Sequence, residues 1–215
     1  MRFVATLTAR GQASSQKLLA AAANDLVEHF GELEVQRVAD RAGVSVGLIY
    51  RHFGSKAGLV RAVVEDFYDR YDSEVFDTNP VPGAGWSTRE HERTARFVHF
   101  FYGEPLAPVV LLHLSRQPEV AATEAARIAR HIEMAARNLA LGQARGEIPA
   151  DLDTGIVGAM VLGGLRQAMA EALRRPMRPP PETMIGELWR VIVAAVRFQA
   201  GKNPTARSLP LSATQ

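Results

Sequence analysis

Between Ser45 and Lys56 the chain gathers side chains that can meet a phosphodiester backbone and the edge of a base. Ser45 offers a hydroxyl, Tyr50 a phenol, Arg51 a guanidinium, His52 an imidazole and Lys56 an ammonium group. Arg51 can form paired hydrogen bonds to guanine O6 and N7, and Val46 can touch a thymine methyl. Gly47 contributes no side chain, so the backbone there can approach a duplex closely. At helical spacing Val46 and Tyr50, and likewise Gly47 and Arg51, share an outward face, while Ile49 and Phe53 point inward. A hydroxyl at Ser45 can also accept a backbone N–H at the start of such a helix.

These groups need two short helices to hold them. Val35 to His52 reads VQRVADRAGVSVGLIYRH. Ala39 is small enough for a close helix crossing, and Gly43 tolerates the positive φ of a tight turn. Val38, Ala42, Val44 and Ile49 then supply the apolar wedge between the helices. This spacing predicts a helix-turn-helix whose second helix is free to enter a major groove.

The continuation, Ser45-Val46-Gly47-Leu48-Ile49-Tyr50-Arg51-His52-Phe53-Gly54-Ser55-Lys56-Ala57-Gly58-Leu59, resembles the TetR family of bacterial transcriptional regulators. That family shares a pattern close to AGVSxGxxYxHFxSKxxL. The strict match covers roughly residues 38 to 60, and a looser one runs from Leu18 to about Tyr71. The resemblance implies phosphate contacts from Tyr50, His52 and Lys56, the lysine at a helix start whose dipole favours anions. One departure stands out. The family usually opens the second helix with a threonine that caps it and binds phosphate, whereas here the stretch is Gly31-Glu32-Leu33-Glu34-Val35. A carboxylate there suits the helix dipole but repels a phosphate, which leaves Gln36 or Arg37 to replace that contact.

The chain has 215 residues, no cysteine and a formal net charge of +2. It is long enough to bury a sizeable core. The lack of cysteine excludes disulfides and thiolate metal sites and suits a reducing cytoplasm. No basic start joins an apolar run and a small-residue cleavage site, so no signal peptide is expected. The longest apolar run, Ile156 to Leu165, ends at Arg166 and is too short to span a bilayer. The expectation is therefore a soluble cytoplasmic protein without a membrane partner. Between residues 14 and 71, seven Lys/Arg (17, 37, 41, 51, 56, 61, 70) face eight Asp/Glu (25, 28, 32, 34, 40, 65, 66, 69). The DNA-binding segment is thus not globally basic, which argues against a non-specific binder tracking phosphates and for a few well-placed contacts.

The periodicity predicts an all-α chain: an N-terminal three-helix helix-turn-helix domain followed by a C-terminal helical domain for ligand binding and dimerisation. Residues 1–13 read as a flexible arm bearing Arg2 and Arg10, residues 14–72 as the DNA-binding domain, 73–201 as the body and 202–215 as a disordered tail. Ser14 or Ser15 is the expected cap of the first helix, which Gly31 ends. Helices are expected over Glu34–Ala42, Ser45–Phe53 and from Ser55 toward Phe76, with Leu59, Val63, Phe67 and Tyr71 along one face. In the body they are expected over Thr88–Tyr102, Leu106–Arg116, Pro118–Arg145, from the cap Asp153 to Arg174, and over Glu182–Gln199.

The resemblance places a small-ligand cavity among the body helices. Trp86, Thr94, Phe97, Phe101, His113, Met134, Asn138, Met160 and Gln167 are the candidate lining, and their character suits an apolar or aromatic effector. It also implies that the last two helices pair with their copies in a second subunit, with Gly158, Leu162, Leu165, Met169, Leu188, Ile192 and Ala195 as candidate interface residues. A purely intrachain core would use the same residue types. The implied partners are operator DNA, a second copy of the chain and an unidentified small molecule, with no cofactor.

Two other classes make different demands on the sequence. A helical enzyme would need a base or metal set, but none of the six histidines has HxxxH or HExxH spacing, and no Ser-His-Asp signature, phosphate loop or dinucleotide fingerprint occurs. Catalytic and metal-ligating residues are therefore not expected. An architectural DNA-binding protein would have a filled body and little sequence preference. The sequence favours a homodimeric repressor on a near-palindromic operator, its affinity set by a ligand that distinguishes two states of the body.

Overall fold

A computed structural model describes residues 9–78, 81–115 and 117–198. The described chain is helical, without strands: α1 (Ala9–Glu28), α2 (Val35–Ala42), α3 (Val46–Phe53), α4 (Lys56–Tyr71), α5 (Trp86–Gly103), the short α6 (Ala107–Val109), α7 (Pro118–Ala144), α8 (Thr154–Arg174) and α9 (Pro181–Ala195). Two π-helical turns, Asp72–Phe76 and Val110–Leu114, extend α4 and α6.

The head is built as the spacing requires. Leu18, Ala22 and Leu26 of α1, Val38 and Ala39 of α2, Ile49 of α3 and Leu59 and Val63 of α4 are all within 2% of complete burial and form its core. Gly43 caps α2 with φ 65° and ψ 41°, and its N–H donates to Ala39 and Asp40 carbonyl oxygens. That left-handed turn swings α3 out across α2, a conformation glycine adopts without a Cβ penalty. Ser45 accepts the Leu48 N–H at 3.3 Å and Ser55 the Gly58 N–H at 3.0 Å, so both α3 and α4 begin on serine caps.

The first helix differs from expectation. It starts at Ala9, which puts Ser14 and Ser15 inside it rather than at its cap. The run Ala9-Arg10-Gly11-Gln12-Ala13 carries two alanines and no proline to stop the helix, and serine is tolerated in a helix interior. The rest of the expected arm, residues 1–8, lies outside the described residues, as does the expected tail 202–215. The last helix ends at Ala195, short of the expected Gln199, where the chain turns through Arg197 at φ 50°. The boundary expected near residue 72 falls at the end of α4, which runs from the head into the body with Leu59, Val63, Phe67 and Tyr71 buried along its length.

The body packs α5, α7, α8 and α9 around that tail. The core cluster that holds the head continues through Phe67 and Tyr71 to Phe97, Phe100 and Phe101 of α5 and to Met169 and Leu173 of α8. A second cluster at the other end joins Trp86, Leu139, Ile148, Ile192 and Val196. Helix α8 extends well beyond the apolar run Ile156 to Leu165, and the whole helix, not that run, sets what it can span. Its 21 residues are long and apolar enough to cross a membrane by length and composition, and only 22% of its most apolar window is buried. Midway along it, Arg166 turns inward to Glu124 of α7 (2.9 Å) and to Tyr68 of α4 (3.0 Å).

Candidate nucleic-acid interface and effector cavity

On α3 the outward face forms as the spacing requires. Gly47, Tyr50 and Arg51 are exposed and Ile49 is buried, while Val46, His52 and Phe53 are half-buried, Val46 and Phe53 packing on the core. Ser45 and Lys56 are exposed at the N-termini of α3 and α4. Two capped helix starts and four polar side chains thus surround one surface, where unpaired backbone N–H groups and helix dipoles favour anions.

The charge pairing explains how a domain with more acids than bases presents this surface. Among the described residues, Arg37 pairs with Asp25 and Glu34, Arg41 with Glu28, Arg61 with Glu65, and Arg70 with Asp66 and Glu104. Of the seven Lys/Arg between residues 14 and 71, those without such a partner among the described residues are Lys17, Arg51 and Lys56, on or beside the recognition face. Lys17 was not singled out from sequence. Its ammonium lies 4.0 Å from where a Cβ on Gly43 would stand, beside the α2–α3 turn, a placement that only the fold reveals.

Two residues chosen to replace the missing threonine are committed elsewhere. Arg37 donates from Nε to Asp25 at 2.7 Å and from Nη1 to Glu34 at 2.5 Å, so it serves the head's own architecture. Gln36 remains exposed but donates to Asp40 at 2.8 Å. The cap itself is supplied across the fold: Glu34 makes no side-chain cap, and its N–H instead donates to the Asp25 carboxylate of α1 at 2.9 Å. Asp25 is completely buried. Burial alone would raise its pKa, but hydrogen bonds from Arg37 and Glu34 N–H, with the Arg37 charge, outweigh that and hold it below the ordinary value.

The body holds a cavity of about 290 Å³. Of the expected lining, Trp86, Thr94, Phe97, Met134 and Asn138 reach it. Phe101 is buried in the core beside it, Met160 is 68% exposed, Gln167 is exposed, and His113 sits in the second π turn against Gly31 of the head. These four are corrected from the cavity because an apolar or polar residue on the right helix still faces only one way. The wall that sequence reasoning missed includes Tyr71, Val75 and Phe76, at the end of α4 and in the π turn that follows, with Glu90 and Arg93 of α5. A π turn leaves no clear sequence signal, so the turn's inward face was not legible. The indole N–H of Trp86 is buried and has no hydrogen-bond partner among the described residues.

Behind this wall lies a buried polar layer. His131 of α7 stacks on Phe76 (ring centroids 4.4 Å, 6° apart) and meets Asp72 at 2.5 Å, and Arg127 donates to Asp72 at 2.7 Å. Burial pushes the Asp72 pKa up, but the His131 hydrogen bond and charge, with Arg127 and Arg130, bring it below the ordinary value. One turn earlier, Tyr68 donates to Glu124 at 2.7 Å beside Arg166. Burial drives the Tyr68 and Tyr71 phenols upward, so both stay neutral.

The candidate interface residues fall largely inside the chain. Met169, Leu188 and Ile192 are buried in its own core, and Gly158 is buried against Ala135 and Ala136 of α7. Leu162 and Leu165 line the cavity, and Ala195 is half-buried. Sequence pattern identifies an apolar helix without saying which side its own chain takes. The exposed side of α8 carries Ile156 (61%), Met160 (68%), Gly163, Gly164 and Gln167, and α9 adds Val191 (62%). Among the described residues no group of three His, Asp or Glu side chains is placed to hold a metal ion.

Residues 18–63 match the family of bacterial regulatory proteins designated tetR. Over that segment the chain carries the N-terminal domain of the tetR family. The matched segment runs from α1 to α4 and contains Ser45 to Lys56, so the head is the helix-turn-helix DNA-binding domain of a transcriptional regulator. Beyond that segment the likeness is weaker but extends along the chain. The HTH-type transcriptional regulator UidR of Escherichia coli is 24% identical over 151 residues, 68% of this chain and 76% of UidR. The structure of Salmonella enterica GusR superposes with a TM-score of 0.70 at 21% identity, covering 89% of this chain and 98% of GusR. NalD, the secondary repressor of the MexAB-OprM multidrug efflux pump in Pseudomonas aeruginosa, gives 0.67 at 16% identity, covering 86% and 98%. At these identities the structures show a common fold.

Proposed function

We propose that the chain is a repressor that binds a near-palindromic operator as a homodimer and changes its DNA affinity when a small molecule enters the body cavity. One observation carries the reading: the helix whose N-terminus bears Lys56 at the recognition surface ends in the cavity wall at Tyr71, followed by Val75 and Phe76. A ligand that repacks that wall acts on the same rigid element that positions the head. Such coupling requires only that the ligand bind one arrangement of α4 better than the other.

In this reading Ser45, Val46, Gly47, Tyr50, Arg51, His52 and Lys56 contact DNA, with Lys17 as an addition and Arg37 as support. The exposed apolar side of α8, with Val191 of α9, is the surface a second copy covers, which also accounts for an apolar helix so little buried by its own chain. Resemblance to UidR and NalD supports regulation over catalysis, and the cavity favours an effector-responsive regulator over an architectural one.

The test is a footprint on a bound operator together with light scattering. Two protected half-sites about one helical turn apart, roughly 34–36 Å, and a mass of two chains are expected. Ile156→Glu combined with Met160→Glu should yield monomers that lose the paired footprint. A monomeric wild type on a single half-site would contradict the proposal.

A further inference from the structure

The charged and amide groups inside the cavity are gathered on one side, between the Tyr71 phenol at one end and the Trp86 indole at the other. Phe97 of α5 packs near Tyr71, and His131 of α7 stacks on Phe76, at one end; Trp86 of α5 approaches Gly142 of α7 at the other. The two helices are therefore antiparallel, which sets Glu90 and Arg93 of α5 level with Asn138 of α7. The facing walls from α8 and α9 are apolar: Val161, Leu162, Leu165, Ile192 and Val196.

Glu90 and Arg93 neutralise each other. Arg93 Nε lies 3.3 Å from Glu90 Oε1, its Nη1 donates to the Val75 carbonyl at 2.5 Å, and the two side chains are only 19% and 15% exposed. Arg137, at the rim, is 67% exposed and faces Glu133 at 3.8 Å. Along this edge the second Glu90 oxygen, the remaining Arg93 N–H groups and the Asn138 amide have no partner among the described residues. This edge offers acceptors and donors together, with no net charge. A bound carboxylate would face Glu90 and an ammonium would face Arg93, each desolvated without a matching counter-charge. A hydroxyl or amide can donate to Glu90 while accepting from Arg93 or Asn138.

We propose that the cavity selects a neutral ligand with an apolar ring body and a hydroxyl or amide group, read by Glu90, Arg93 and Asn138. The inference rests on the effector reading of the cavity given above. A space of 290 Å³ suits roughly two rings, since a cavity of about 150 Å³ holds a benzene. Glu90, Arg93 and Asn138 decide the head group, and the α8 and α9 walls decide the body.

Calorimetric titration of the full chain with 2-naphthol, 2-naphthoate and 2-naphthylmethylammonium at neutral pH tests this. Naphthol should bind about tenfold or more tighter than either ion, because a site built for a neutral hydrogen-bonding group rejects analogues that mismatch it. Glu90→Gln should shift the preference toward naphthoate, since Arg93 loses its counter-charge. Asn138→Leu should weaken naphthol without that shift, and it serves if Glu90→Gln lowers the melting temperature too far to be titrated. An ion bound as tightly as naphthol by the wild type would overturn the head-group assignment and leave the effector cavity standing. No heat from any of the three would overturn both.

Discussion

The head and the body solve opposite problems with their charged groups. In the head, Arg37 holds the buried Asp25, the other arginines pair with acids at or near the surface, and the unpaired cations lie on or beside the recognition face. In the body, the acids Asp72 and Glu124 are almost fully buried and are held by arginine, histidine and tyrosine from helices far apart in sequence. The head presents a surface on a closed apolar core. The body surrounds an incompletely filled space with a polar layer that touches α4. The difference teaches where a signal can start: repacking is cheap beside a cavity and costly in a filled core.

The contrast can be broken most severely in the body. Arg166→Leu leaves Glu124 buried without its cation, and it should cost about 3 kcal/mol or more, read as a lowered midpoint in urea unfolding. The exposed Arg41→Ala change in the head should leave the urea midpoint nearly unchanged, because water and salt screen that pair. Equal losses would erase the distinction between the two regions.

Asp25→Asn probes the one fully buried charge of the head and should cost about 2 kcal/mol at neutral pH. Its folded pKa lies below the unfolded value, so the stabilisation is complete above about pH 4 and is lost as pH falls through the folded value. The gap between wild type and variant should therefore close on acidification, and a gap that widened below pH 4 would contradict the assignment.

A smaller effect is expected at the joint between the regions. Gly31 sits at φ 95°, and a Cβ there would stand 3.0 Å from the Cβ of His113 in the second π turn. Gly31→Ala should cost about 1–2 kcal/mol through backbone strain and that contact, and it should also shift operator affinity. A stability loss with unchanged operator affinity would mean that this contact holds the regions together without coupling them. The smallest stability effect belongs to Lys56→Ala. It should leave the unfolding midpoint within about 0.5 kcal/mol yet flatten the salt dependence of DNA binding by about one unit of slope.

The head was legible because its information is local. Ala39, Gly43, Ser45 and Ser55 each act within a few residues, through a crossing, a turn and two caps, so spacing alone placed α2, α3 and the start of α4. Reading failed in the head where the partner lies far along the chain. Arg37 looked available until α1 brought Asp25 to it, twelve residues away in sequence. In the body, apolar periodicity found every long helix but not the direction of its faces: Met169 turned inward and Met160 outward. The π turn at Asp72–Phe76, which brings Val75 and Phe76 into the cavity wall, follows from tertiary packing around His131 and from no residue signature.

The most direct test of the account is selection of bound sequences from a random DNA pool by the purified chain, run beside Arg51→Ala. The account predicts a palindromic consensus for the wild type and a relaxed preference at one position of each half-site for the variant. Absence of enrichment at low salt, or an identical consensus from Arg51→Ala, would contradict recognition by the exposed face of α3.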